Sequence, residues 1–277
     1  MNFVFSRLEQ QSVLRADSLA VIGNRYRLTF AELFALVERL SAGFRAYGIG
    51  SCSVAGLIFL DPVRHLVASL ALLSLRASQV ALPLREVRAM RITLAEKSDL
   101  SVQITDVGDP EANLGYPTIR IGENWELSTS RGDRQMPSKA YRTEEVQAAM
   151  YFMGSGTTGA PKLIAPGFDL LSSLIARDLS VRTMWPGERH YCMSSLDYYT
   201  AKRRTIGCLS AGVTVVLPDF RPTKILEFCR KGRIDHLSLT TSQAAILASE
   251  VAREKTSRLP AMPWVRSMFV GSSPVGE

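Results

Sequence analysis

At 277 residues and 30.5 kDa, with 46% hydrophobic and 21% charged residues, the chain can bury a sizeable core and is neither disordered nor of low complexity. The formal charge of +7 and pI near 9.4 suit anionic small molecules such as nucleotides or coenzyme A, and would suit nucleic acid as well. The longest strongly apolar stretch, residues 66–75, falls short of the ~18 that span a bilayer, and the opening residues lack a secretory signal's basic region and cleavage site, so a soluble cytoplasmic protein is expected.

In chain order, Thr29 and Glu32 form a capping box. The apolar residues Phe30, Leu33, Phe34, Val37, Leu40 and Phe44 then keep helical spacing until Gly48 offers a stop. Residues 54–60 read as a buried strand, and Asp61-Pro62 as the cap and first position of a helix reaching about Arg76. Residues 79–84 predict a second strand, 86–97 a helix and 101–105 a third strand. Residues 122–140 turn polar and read as a linker between two lobes, 1–140 and 141–277. The Arg131-Gly132-Asp133 tripeptide within it is read as loop composition. Past the linker, strands are predicted at 148–153, 191–194, 213–217, 234–239 and 265–270, with a short apolar segment at 163–165. Helices are predicted at 170–183, 199–210, 222–231 and 243–254. Short apolar strands alternating with amphipathic helices define the expected fold class: α/β, with largely parallel sheets flanked by helices. After the last strand the chain reads as a loop and a first helical turn, so truncation within a domain is expected.

Scattered chemistry offers little. Cys52, Cys192, Cys208 and Cys229 form no C-x-x-C pair and read as buried free thiols. His65, His190 and His236 are also dispersed; His190 and Cys192 share one face of a strand, where core packing is expected ahead of metal ligation. The densest charge run, Lys202-Arg203-Arg204, is too short for a nucleic-acid interface and reads as a solvated helix face.

One stretch stands apart. Gly154-Ser155-Gly156-Thr157-Thr158-Gly159-Ala160-Pro161-Lys162 packs glycines, hydroxyls and a cation into a turn after an apolar run, the composition that wraps a phosphate chain. It fits G-x-G-x-x-G, with Asp178 near the place of a dinucleotide fold's ribose-binding acid. That reading, an NAD(P)-dependent oxidoreductase, requires a helix to start at the glycines, whereas Pro161 and the segment closed by Pro166-Gly167 look like strand and turn. A Walker loop would need Lys and Ser/Thr directly after the last glycine, where Ala160-Pro161 intervene; a kinase loop would want valine at 161.

The run from Ser155 to Lys162 closely resembles the signature S/T-G-S/T-T-G-x-P-K-G of the adenylate-forming superfamily, which includes acyl-CoA synthetases and the adenylation domains of peptide synthetases. Residues 27–33 are similar to the family's T-Y/F-x-E-L, 211–216 to its A-G-A/C-x-x-V strand, 220–222 to its F-x-P and 269–277 to its G-G-A/E segment. Leu163 replaces the signature's last glycine, and Ser272-Ser273 replace the second glycine and the acid or alanine. Where relatives carry a histidine or aromatic gate, this chain offers Tyr198 or Tyr199, either of which could gate or simply pack.

The resemblance covers the N-terminal portion of a family member, with the C-terminal lid domain absent. It implies an AMP-forming acid–thiol ligase: a small carboxylic acid attacks the α-phosphate of ATP, and coenzyme A or another thiol displaces AMP. It implies catalytic roles for Thr158 and Lys162, and nucleotide contacts from Ser155, Gly156, Thr157, Thr158, Gly159, Lys162, Gly271, Ser272 and Ser273. The principal Mg2+ ligand, in the family's Y-G-x-T-E segment, would lie beyond residue 277, so residues 1–277 alone are expected to bind ATP weakly without turnover. A non-catalytic nucleotide-binding fragment is the alternative.

Overall fold

The structure is a computed structural model that describes residues 3–129, 148–154, 162–181, 183–219, 222–253 and 262–271. The elements run α1 (Phe3–Leu14), β1 (Leu19–Gly23), β2 (Arg27–Thr29), α2 (Phe30–Ala46), β3 (Val54–Ile58), α3 (Pro62–Ser74), β4 (Ser78–Ala81), α4 (Arg88–Lys97) and β5 (Val102–Thr105). There follow a 3-10 turn (Pro110–Ala112), β6 (Thr118–Ile121), β7 (Leu127–Thr129), β8 (Met150–Gly154), β9 (Lys162–Ile164), α5 (Phe168–Ser180) and β10 (Arg189–Cys192). The described chain closes with α6 (Tyr199–Ser210), β11 (Thr214–Leu217), α7 (Ile225–Gly232), β12 (His236–Thr240), α8 (Thr241–Arg253) and β13 (Ser267–Gly271).

Local sequence sets the helix boundaries. Thr29 and Glu32 make the reciprocal capping box, and α2 gives way to Gly48 at φ +80°. Asp61 Oδ1 accepts the N–H groups of Val63 (2.8 Å) and Arg64 (3.0 Å), with Pro62 in the first turn of α3, where its missing N–H costs nothing. The stretch preceding Thr29 carries α1 and β1, which periodicity did not predict. In α1 the buried face includes Gln11 while Val13 and Leu14 are exposed, so the apolar stripe is blurred.

The strands form two sheets: a seven-stranded one in the order β7-β6-β5-β3-β4-β8-β9 and a six-stranded one in the order β13-β12-β10-β11-β1-β2. Pairings are parallel except at β7, β9 and β2, each an antiparallel edge. Strand membership does not follow the partition expected at 140/141. β1 and β2 join the sheet of β10–β13, and β8 and β9 join the sheet of β3–β7. The expected linker is also shorter than read, because Gly122 through Glu126 turn the chain into β7 and bury Trp125 against Tyr26 at 5.1 Å between ring centroids. Residues 130–147, with the Arg131-Gly132-Asp133 tripeptide, lie outside the described residues.

Between the sheets runs a helical layer. In α3 every residue from Val63 to Leu73 is buried, and in α6 Ala201, Lys202, Arg203 and Thr205 through Ser210 are buried. A helix hydrophobic all round belongs inside a protein, and the apolar run at 66–75 is that central helix. One continuous core joins Val4, Phe30 and Leu66 to Ala149, Ile206 and Leu217. Strand residues alternate between this core and the outer layers: Ala55 and Leu57 face inward, while Ile58, Val80 and Leu82 meet Leu94 of α4 outside. Likewise Tyr191, Leu237 and Leu239 face Ile225 and Cys229 of α7 and Leu247 of α8.

Leu66→Ala in this central layer is expected to lower the unfolding free energy by about 2–5 kcal/mol, whereas Leu170→Ala, at a position 52% exposed, should change it by less than about 0.5 kcal/mol. Urea titrations giving equal losses at both sites would contradict a buried α3.

Candidate functional site

The glycine-rich stretch leaves the seven-stranded sheet on β8 and returns on β9. Phe152 pairs with Ile164, Met153 with Leu163 and Gly154 with Lys162, so residues 155–161 bridge the tips of an antiparallel hairpin. Lys162 is exposed at the first position of β9. Ser155, Gly156, Thr157, Thr158 and Gly159 lie outside the described residues, as do Ser272 and Ser273.

This pairing overturns the dinucleotide-fold reading. Lys162–Ile164, where a dinucleotide fold would continue its helix, is a strand antiparallel to β8, and the next described helix, α5, begins at Phe168. Asp178 is engaged elsewhere: its Oδ2 lies 3.1 Å from Nη1 of Arg203, in a helix–helix contact between α5 and α6.

The hairpin stands against the carboxyl end of the six-stranded sheet, where the ring of Phe152 stacks on Tyr199 at 4.5 Å and 11°. β10 connects through α6 to β11 on one side, and β12 through α8 to β13 on the other. Chain connections therefore diverge at the adjacent carboxyl ends of β10 and β12, the topology that leaves a ligand crevice in α/β sheets. Gly271, the last residue of β13, pairs with Thr240 at the end of β12, beside that crevice. Of the two candidate gate tyrosines, Tyr199 packs on Phe152, while Tyr198 is 41% exposed under the Arg85 guanidinium, 5.0 Å from its ring centroid.

A polar cluster occupies the crevice wall. Asp197 Oδ2 accepts hydrogen bonds from Ser195 Oγ (2.6 Å) and Arg85 Nη1 (2.7 Å), and Oδ1 lies 3.7 Å from His65 Nδ1. Lys202 Nζ donates to Gln79 Oε1 at 3.1 Å; that oxygen also accepts from Ser69 Oγ, and Gln79 Nε2 donates to the Ser69 carbonyl at 3.2 Å. Burial, then the Lys202 charge, push His65 down to about 3, so its imidazole is neutral at physiological pH. Burial also lowers Lys202, to about 8, against the pull of Asp197. Burial would raise the Asp197 carboxyl, yet the facing His65 imidazole first, then the Ser195 hydroxyl and the Arg85 and Lys202 charges, hold it below the usual carboxylate range. Gln79, Met150, Phe152, Asp197, Tyr199 and Lys202 line a shallow cleft whose internal volume, about 10 Å3, is on the order of one water molecule.

The basic run at 202–204 is thus no solvated face. Successive side chains diverge by about 100° around a helix, and because α6 lies between two sheets each finds a different partner: Lys202 meets Gln79 of β4, Arg203 meets Asp178 of α5, and Arg204 stacks on Phe269 of β13. The run of small and apolar residues at 206–210 in the same helix was the available signal of burial all round. His190 and Cys192 do share the inner face of β10, and His190 Nε2 lies 3.0 Å from Ser238 Oγ. Cys192, Cys208 and Cys229 are buried and Cys52 is half-buried, none of them in a disulfide.

Two layered sheets and a glycine- and hydroxyl-rich loop closing a strand hairpin define an α/β protein of the adenylate-forming type. The chain belongs to the AMP-binding enzyme family, whose model matches residues 8–277. It is 22% identical over 252 residues to the 2-succinylbenzoate–CoA ligase of Bacillus licheniformis, a match spanning 89% of this chain and 51% of the relative. It is 25% identical over 232 residues to the 3-hydroxybenzoate–CoA ligase of an Aromatoleum species, spanning 76% of this chain and 43% of the relative. Among solved structures, the O-succinylbenzoate coenzyme A synthetase of Bacillus subtilis in complex with ATP and magnesium ion superposes with a TM-score of 0.73 at 20% identity, covering 95% of this chain and 68% of that one. The chain spans about half the length of these curated relatives. No helix among the described residues is long and apolar enough to cross a membrane.

Asp197→Asn removes the carboxylate that balances Lys202 and Arg85, and is expected to cost on the order of 3 kcal/mol at neutral pH. Because the folded-state pKa of Asp197 is depressed, its contribution is present above the unfolded pKa and lost as pH falls through the folded one. The difference between wild type and variant should therefore shrink in acid; a gap constant from neutral pH into strong acid would contradict the assignment.

Proposed function

We propose that this chain is the amino-terminal part of an ATP-dependent ligase that activates a small carboxylic acid as its acyl-adenylate and passes the acyl group to a thiol, coenzyme A or a carrier-protein thiol. The observation that carries the reading is the hairpin of β8 and β9, whose Phe152 stacks on Tyr199 at the start of α6, just past the carboxyl end of β10. Four cysteines outside any disulfide fit a reducing cytoplasm.

In this reading the backbone N–H groups of residues 155–159, the hydroxyls of Ser155, Thr157 and Thr158, and the Lys162 ammonium hold the β- and γ-phosphates as they become pyrophosphate. Gly156 and Gly159 let the backbone approach the phosphates closely. Gly271, Ser272 and Ser273 border the adenine. Magnesium accompanies the triphosphate and supplies charge neutralisation; its principal protein ligand is expected outside residues 1–277. The acid carboxylate attacks the α-phosphorus, the bond to the bridging oxygen breaks, and pyrophosphate carries away the electron pair. The thiol then displaces AMP from the acyl carbon. Such chemistry rests on positioning and on charge stabilisation by preset donors, which suits a loop offering donors but no side-chain base.

Thermal-shift and calorimetric titrations test this. At about 100 times its Kd, ATP with magnesium should add about 2.7 kcal/mol of stability. Lys162→Ala should weaken ATP binding about tenfold, ~1.4 kcal/mol, while leaving the unliganded unfolding temperature unchanged because the side chain is exposed. Protection by NAD in place of ATP, or an unaltered affinity in the variant, would sink the reading.

A further inference from the structure

One cation of the basic run in α6 stands beside the carboxyl end of β13. Lys202 meets Gln79 of β4 and Arg203 meets Asp178 of α5, so Arg204 is the member of the run that faces β13. Its guanidinium carbon lies 3.4 Å from the ring centroid of Phe269. Cations are drawn to the face of an aromatic ring, and the stack fixes where the guanidinium sits. Phe269 pairs with Ser238 and Gly271 with Thr240. Side chains alternate along a strand, so Gly271 shares the Phe269 face, the one turned toward α6.

Gly271 shows which way the guanidinium reaches. A Cβ at that position would lie 2.8 Å from Phe269 Cε1 and 3.7 Å from Arg204 Nη2. With no side chain there, backbone, ring and Nη2 come together at the end of β13. Arg204 is half-buried, Phe269 is 36% exposed, and Thr241 and Ser242, just past β12, are exposed, so this end of the sheet opens to solvent. A guanidinium stacked through its face still presents its edge to an anion, and the planar N–H groups of that edge match the oxygens of a phosphate. Partial burial strengthens the attraction over that in bulk water. Lys202, by contrast, borders internal space for about one water molecule.

We propose that Arg204, held by Phe269, binds the phosphate of the adenylate, so that the chain grips AMP and the acyl-adenylate through a cation outside the glycine-rich loop. The inference rests on the acid-activating reading above, in which Gly271 borders the adenine. It adds a contact for the α-phosphate, which the loop residues, assigned to the β- and γ-phosphates, do not supply. AMP lacks those two phosphates, and its binding therefore isolates the Arg204 contact.

The test is calorimetric titration of the 277-residue chain with AMP and with adenosine. Wild type should bind AMP ten or more times more tightly than adenosine. Arg204→Met, which keeps an unbranched apolar stem and removes the charge, should bring the two within threefold of each other while leaving the adenosine affinity within twofold of wild type. Arg204→Lys, which keeps the charge and loses the planar edge, should retain part of the preference. In wild type the preference should be the same at about pH 7.5 and about pH 9.5, because a guanidinium stays protonated and a phosphate monoester, with its second pKa about 6, is already a dianion. Lys202, lowered to about 8, would lose its proton across that range. If Arg204→Met fails to fold, NMR of the wild type decides the question: the Arg204 Nε–H signal, identified through its loss in Arg204→Lys, should shift with AMP and stay in place with adenosine. No preference for AMP in wild type, a preference that survives in Arg204→Met or fades by pH 9.5, or an Nε–H signal indifferent to AMP overturns the proposal. A parallel thermal shift with ATP and magnesium separates the failures. Stabilisation by ATP alongside any of those results removes only the role of Arg204, whereas no stabilisation, with neither AMP nor adenosine bound, removes the acid-activating reading as well.

Discussion

The structure depends on burying α3 and α6 between two sheets. Parallel strands need crossover connections, and here one crossover of each sheet, α3 and α6, packs into a shared layer that holds the largest core, with smaller outer cores under α4 and under α7 and α8. One consequence follows. The chain cannot be cut at residue 140 into self-sufficient halves, since β1 and β2 complete one sheet and β8 and β9 the other. The polar groups at this layer are joined in short networks, Gln79, Ser69 and Lys202 to one another and Asp197 to Ser195 and Arg85.

The same constraint builds the site. Burying α6 fixes Tyr199 against Phe152 and so holds the β8–β9 hairpin over the divergence point of β10 and β12. Gly154 and Lys162, on either side of the glycine-rich segment, are strand-paired with each other.

Most of the α/β alternation was legible because its signals are local. The Thr29–Glu32 box and the Asp61-Pro62 start are short-range interactions that mark helix beginnings directly, and both appear as read. Pro161 and Pro166-Gly167 likewise marked strand and turn in place of a helix, and β9 followed by α5 agrees. What stayed hidden is long-range. No local pattern tells that β1 will pair with β11, nearly two hundred residues on. The basic run at 202–204 reads as solvated because burial of a charge is decided by partners from α5, β4 and β13, distant in sequence. Trp125 and β7 were lost in a polar stretch for the same reason: one buried aromatic, packed on Tyr26, outweighs the surrounding composition.

The central claim is that the loop between Gly154 and Lys162 grips a diphosphate through its own backbone. Amide-resolved NMR during titration with magnesium pyrophosphate tests it most directly. Saturable shifts are expected at the N–H signals of residues 155–159 and Lys162, with the outer helices α4 and α7 unmoved. Amides in that loop that stay in place at saturating pyrophosphate, while others respond, would contradict it.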